Sequence, residues 1–154
     1  MELYREFFSI IEKLNEHGLD YSVVGGIALA FHDTPRFTRD IDILAKPADL
    51  EKYEGIFQKL GYHKTSEPWS FGSTQLTMHR FGKKSEEDEE ELVVIDLLIG
   101  HESRHHEIID ASIIDDSPAG KVRLAQREDL IWMKKLRGSK QDEADIENLE
   151  SKND

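Results

Sequence analysis

Five residues in this chain have the types and spacing that phosphate and metal chemistry require. Gly25 and Gly26 follow the apolar pair Val23-Val24, and after thirteen further residues Asp40 and Asp42 flank Ile41. A strand that feeds a Gly-Gly turn and then a helix presents unpaired backbone N–H groups, which form a seat for phosphate. Two glycines leave room for the phosphate to approach the backbone. Asp40 and Asp42 stand at i and i+2, so in a strand both project from one face, about 6.6–7 Å apart at their Cα atoms. Carboxylates so placed can share divalent cations, and magnesium favours such a site, completed by water and substrate phosphates. Asp96 is the third acid. It stands alone in the apolar run Val93-Val94-Ile95-Asp96-Leu97-Leu98, where a charge is costly unless paired or bound to metal.

The elements that must position these residues follow from periodicity. Leu3, Phe7, Ile10, Ile11 and Leu14 recur at helical spacing over residues 2–16, and His17-Gly18 ends that helix. Residues 21–24 form a short strand, residues 27–31 a short apolar helix, and Asp33-Thr34-Pro35 a turn. Residues 39–45 alternate as a half-buried strand, with both acids on one face and Ile41, Ile43 and Ala45 on the other. Pro47 opens the next helix. Residues 74–81 and 91–99 form two strands, the second nearly continuous in Val, Ile and Leu and therefore central. A brief strand at Val122 and Leu124 precedes two helices within 125–150. These elements predict an α/β or α+β fold, a mixed sheet of four or five strands packed in two layers against helices, built as one domain over residues 1–154.

Composition narrows the classes. A chain of 154 residues suits one domain and one core. There is no Cys, which excludes disulfides, thiolate metal sites and a thiol nucleophile. No apolar run approaches the roughly 20 residues of a membrane helix. The first residues, Met1 to Glu6, lack a basic and then an apolar region, so the reading expects a cytoplasmic location. Net charge is −12, and the run Glu86-Glu87-Asp88-Glu89-Glu90-Glu91 reads as an exposed acidic loop. Such a charge disfavours direct nucleic-acid binding, which draws its affinity from Lys and Arg.

The combination of Val24-Gly25-Gly26, Asp40-Ile41-Asp42 and Asp96 resembles the signature of the DNA polymerase beta-like nucleotidyltransferase superfamily. The wording around it is similar to the minimal nucleotidyltransferases of the AbiE toxin type: Gly25-Gly26-Ile27-Ala28-Leu29-Ala30, then Pro35-Arg36-Phe37-Thr38-Arg39-Asp40-Ile41-Asp42. The tail fits as well, with Arg127-Glu128-Asp129-Leu130-Ile131-Trp132-Met133-Lys134 and then Asp142-Glu143-Ala144-Asp145-Ile146. The resemblance implies a two-layer polymerase beta-like fold and transfer of a nucleoside monophosphate from a nucleoside triphosphate to a hydroxyl on a protein, a tRNA end or a small molecule. It implies two Mg²⁺ ions held by Asp40, Asp42 and Asp96, with Asp96 accepting the acceptor's proton. Gly25, Gly26, Arg36, Arg39 and Lys134 become the nucleotide-binding residues, and a cognate toxin or antitoxin becomes the expected protein partner. Two departures stand out. Gly26 replaces the Ser of many members, and Ser139 stands where the toxin type carries Arg before its acid pair, leaving Arg137 or Lys140 to substitute.

Two other readings compete. His101-Glu102-Ser103-Arg104-His105 matches the zinc-protease pattern, with Glu128 as a distant third ligand. Ser103 and Arg104 are polar where a zincin helix packs, so a His-rich surface turn is expected instead. A non-catalytic nucleotide-binding or antitoxin-like interaction module on the same fold is the other, since fold does not fix function.

Overall fold

The computed structural model describes residues 2–70 and 74–151 of the chain. It opens with helix α1 (Glu2–Glu16), strand β1 (Tyr21–Val24), helix α2 (Gly25–Phe31) and strand β2 (Asp40–Ala45). A 3₁₀ turn at Pro47–Asp49 leads into α3 (Leu50–Lys59). Two-residue strands β3 (His63–Lys64) and β4 (Trp69–Ser70) come before the hairpin of β5 (Leu76–Lys84) and β6 (Leu92–Gly100). Helix α4 (Ser103–Asp110), strands β7 (Ile113–Ser117) and β8 (Gly120–Leu124), and helices α5 (Arg127–Arg137) and α6 (Lys140–Ser151) complete it.

The strands form one mixed sheet in the order β3-β5-β6-β2-β1-β8-β7, with β4 also paired to β5. Strand β2 runs antiparallel to β1 and parallel to β6, and β5–β6 is antiparallel. The open mixed sheet is the expected architecture, but eight strands are present among the described residues rather than four or five. The additions are short or lie at an edge. β3 and β4 hold two residues each, and β7 buries none of its five side chains, so none carries the alternation that betrays a strand in sequence.

One face of the sheet carries Tyr21, Val23, Ile41, Ile43, Ile95, Leu97 and Phe81, all buried. Helix α1 presses Phe7, Ile10, Ile11 and Leu14 into the same core, and α3 adds Tyr53 and Phe57. The Phe57 and Phe81 rings meet edge to face at 5.1 Å, the favoured aromatic geometry. This packing explains why β2 alternates: its odd residues anchor the core, which forces Asp40 and Asp42 onto the opposite face. No helix among the described residues is long and apolar enough to cross a membrane.

The acidic run 86–91 lies exposed between β5 and β6. Its ends are tied down by two surface ion pairs, Arg5 to Glu86 at 3.2 Å and Arg39 to Glu91 at 3.1 Å. The segment expected as a His-rich surface turn is different. Residues Ser103–Asp110 form α4, and His105 is fully buried against Trp132 of α5. Ile108 and Ile109 supply the apolar face that fastens this helix.

Candidate active site

Register builds the site. Val24 faces Asp42 across β1–β2, Asp42 faces Asp96 across β2–β6, and Asp96 faces Arg80 across β6–β5. Directly opposed residues share a face, so Asp42, Asp96 and Arg80 form one row across three adjacent strands. Asp40 is two residues along β2 on that same face. Two residues along in the other direction, Leu98 and Met78 are opposed. These side chains border a cleft of about 300 Å³, closed on the other side by Leu130, Met133, Lys134 and Arg137 of α5. Those four positions recur at helical spacing and so share one helix face.

The turn after β1 is shaped by its acid neighbour. Gly25 has φ +71°, and a Cβ built on it would overlap the Asp42 carboxylate. Gly26 is buried, and a Cβ there would come within 2.6 Å of Thr38. Both positions therefore exclude a side chain, Gly25 on conformation and space alike.

The carboxylate end is short of positive charge. Arg80 donates to both oxygens of Asp96, Nε at 2.7 Å and an Nη at 3.0 Å. Among the described residues no lysine or arginine comes within ion-pair distance of Asp40 or Asp42. Burial, then the negative charges of Asp96 and Asp40, push the Asp42 carboxyl up to about 7. Burial and Asp96 raise Asp40 too, against the pull of Arg80, Arg36 and Arg39. Three oxygen-bearing acids crowded in this way suit a hard divalent cation. Among the described residues no three His, Cys, Asp or Glu side chains are arranged to hold a metal ion.

The opposite wall is cationic and braced from behind. Lys134 is buried on α5, with Nζ 3.0 Å from Asp145 and 4.0 Å from Asp142. Arg36 reaches Asp145 at 3.0 Å. Arg137 grips Asp142 at 2.8 and 2.7 Å. Asp142 also caps α6: it accepts from the Ser139 backbone N–H and hydroxyl, and its own N–H donates to the Ser139 hydroxyl, a reciprocal capping arrangement. Burial works against the Asp142 charge, but Arg137 and Ser139 outweigh it and hold the carboxyl down at about 2. Arg137, not Lys140, thus pairs with the first of the two acids, Asp142, and Ser139 takes the capping role.

Of the residues singled out from sequence, Gly25, Arg36, Asp40, Asp42, Asp96 and Lys134 line the cleft. Gly26 and Arg39 do not. Gly26 packs under Thr38, and the Arg39 guanidinium turns outward to Glu91, 5.4 Å from the Phe37 ring. Sequence reasoning gave no site role to Arg80 or Trp69. Arg80 reads as one more residue in an alternating strand, and only its register opposite Asp96 reveals it. The zinc-protease pattern is not assembled. His101 precedes α4, so it shares no helix face with His105, and its Nε2 lies 2.7 Å from the Thr77 hydroxyl.

The open mixed sheet, the helices packed on it and the acid-lined cleft make an α+β fold shared with nucleotidyltransferases of known structure. Residues 1–134 match the model of a family described as uncharacterised nucleotidyltransferase, and the chain belongs to that family. Comparison with curated proteins finds no match. Among solved structures, an antigenic nucleotidyltransferase-like protein from Paracoccidioides brasiliensis is similar, with TM-score 0.64 and 18% identity over 97% of this chain and 74% of that one. A candidate nucleotidyltransferase from Thermotoga maritima has TM-score 0.65 and 15% identity over 92% and 87% of the two chains. The lincosamide antibiotic adenylyltransferase LnuA, solved with lincomycin bound, has TM-score 0.54 and 20% identity over 96% of each chain.

Proposed function

We propose that this chain transfers a nucleotidyl group from a nucleoside triphosphate to a hydroxyl acceptor, with Asp40, Asp42 and Asp96 holding two Mg²⁺ ions. The observation that carries this reading is the polarity of the cleft. Three acids on β2 and β6 face Lys134 and Arg137 on α5 across a space open to a ligand. When bound, the ions neutralise the triphosphate and lower the pKa of the acceptor hydroxyl. Lys134, Arg137 and Arg36 line the opposite wall, where a polyphosphate finds positive charge, and the arginines offer a bidentate grip. The backbone of Gly25, at the cleft, supplies the close approach for phosphate, and Gly26 lets Thr38 pack behind that turn. Arg39 reaches the nucleotide only by leaving Glu91. Asp96 accepts the acceptor's proton once Arg80 frees one of its oxygens.

The acceptor hydroxyl belongs to a small molecule, a protein or a tRNA end. The net charge of −12 weighs against a polyanion, and LnuA, named as an antibiotic adenylyltransferase, offers the small-molecule precedent. The likeness of the tail to AbiE-type enzymes extends the proposal to a cognate toxin or antitoxin partner in the cytoplasm. Isothermal titration with each nucleoside triphosphate, with and without Mg²⁺, tests the reading. Mg²⁺-dependent binding that is lost in Asp42→Asn supports it. Absence of binding by any triphosphate overturns a stand-alone enzyme and favours the interaction module.

A further inference from the structure

Arg80 stands where the carboxylates most need positive charge. Its backbone is fixed: the strand pairs with β6, and its carbonyl accepts the Thr65 N–H at 3.1 Å. Its side chain is not. Arg80 keeps 39% of its side-chain surface exposed, whereas the Asp96 carboxylate beneath it keeps 4%. The guanidinium therefore has a solvent side through which to leave, and the acid does not. In this ion-paired position it already lies over an aromatic face. The Trp69 ring centroid lies 5.3 Å from its central carbon, within cation–π range, and both side chains border the same cleft.

Charge argues that this ion pair is a temporary arrangement. One guanidinium compensates one of three clustered acids, and Asp40 and Asp42 stay short of a partner. A divalent ion shared by the acids compensates more charge than Arg80 does, and an arriving triphosphate gives the displaced guanidinium a new anion. We infer that Arg80 is a latch, a positioning residue that blocks the metal-facing oxygens of Asp96 until divalent metal and triphosphate together release it along the face of Trp69. This rests on the proposed nucleotidyl transfer and adds an ordered loading of the site, in which metal alone binds weakly and nucleotide strengthens it.

Mn²⁺ binding, counted by the loss of the free-ion electron paramagnetic resonance signal in the full chain without nucleotide, tests the latch. Arg80→Met keeps the length and the packing against Trp69, and it should bind Mn²⁺ about tenfold or more tightly than the parent, from removal of one adjacent positive charge. Arg80→Lys keeps the charge but loses the two-point grip; it should fall between the two, and it covers the case in which Met unsettles the strand. A second readout follows the guanidinium itself. The chain has two Trp, so in a Trp132→Phe background Mg²⁺ with triphosphate should change Trp69 emission, and Arg80→Met should abolish that change. Equal or weaker Mn²⁺ binding by both Arg80 variants, with binding lost in Asp42→Asn, overturns the latch and leaves nucleotidyl transfer standing. No Mn²⁺ binding by any variant, with or without triphosphate, overturns the assignment of the carboxylates and the latch with it.

Discussion

Replacing Asp42 by Asn should stabilise the metal-free protein at alkaline pH while abolishing the proposed Mg²⁺-dependent triphosphate binding. The carboxyl is pushed from an ordinary 3.8 to about 7 by burial and by Asp96 and Asp40. The folded state thus holds a proton that the unfolded chain has released. Between about pH 4 and pH 7 the native state binds more protons, so stability falls as pH rises through that window and levels off above it. A displacement of this size corresponds to about 4 kcal/mol at pH 8.5. Asn has nearly the same shape and does not titrate, so the variant escapes that loss. Urea unfolding of both proteins in chelator at pH 4.5 and 8.5 gives the test. The variant's stability relative to the parent should rise by on the order of 3–4 kcal/mol from the lower to the higher pH, and added Mg²⁺ should recover stability in the parent alone. A relative stability that is independent of pH, or that moves the other way, refutes the claim that burial and the neighbouring acids raise the Asp42 carboxyl in the folded state.

Gly25→Ala should lower stability by about 2 kcal/mol or more and abolish triphosphate binding, because its Cβ collides with Asp42 at a positive φ; urea melts and titration calorimetry check both. Lys134→Met removes one charged hydrogen bond from Asp145, which keeps Arg36, and leaves Asp142 with Arg137, so a loss of about 1–2 kcal/mol should accompany weaker nucleotide binding. His105 is fully buried, and neither ring nitrogen has a hydrogen-bond partner. Burial lowers its pKa from 6.5, so its neutral form supports the fold above pH 6.5, and that support is lost as pH falls below it. His105→Leu should therefore gain on the parent as thermal melts move from pH 7 to pH 5. Zn²⁺ should leave the melting temperature of the parent unchanged, since His101 and His105 share no helix face.

Much of the site is legible in the chain because its signals are local. The Gly-Gly turn, the i, i+2 acids and the lone acid in an apolar strand each violate an expectation about ordinary elements, and each violation points to phosphate or metal. Lys134 carries no such mark, since a lysine on an amphipathic helix is usually solvated. Its burial depends on the pairing of Asp142 and Asp145 from the next helix. The same holds for His105, whose polar neighbours Ser103 and Arg104 suggest a surface turn, while Ile108 and Ile109 further along turn the segment into a packed helix.

The sequence by itself determined the sheet core, the helices α1, α2, α3, α5 and α6, and the face on which Asp40 and Asp42 must lie, because periods of two and of 3.6 decide which side of an element meets the core. Only the tertiary structure decided which charges compensate one another. Arg80 meets Asp96 through strand register, Arg137 meets Asp142 across the break between α5 and α6, and Arg39 turns away to the acidic loop. Arg80–Asp96 and Arg39–Glu91 join residues 16 and 52 positions apart, and a one-residue slip of β5 against β6 would undo the first; Arg137 and Asp142 are only five apart, but they meet because α6 folds back on α5.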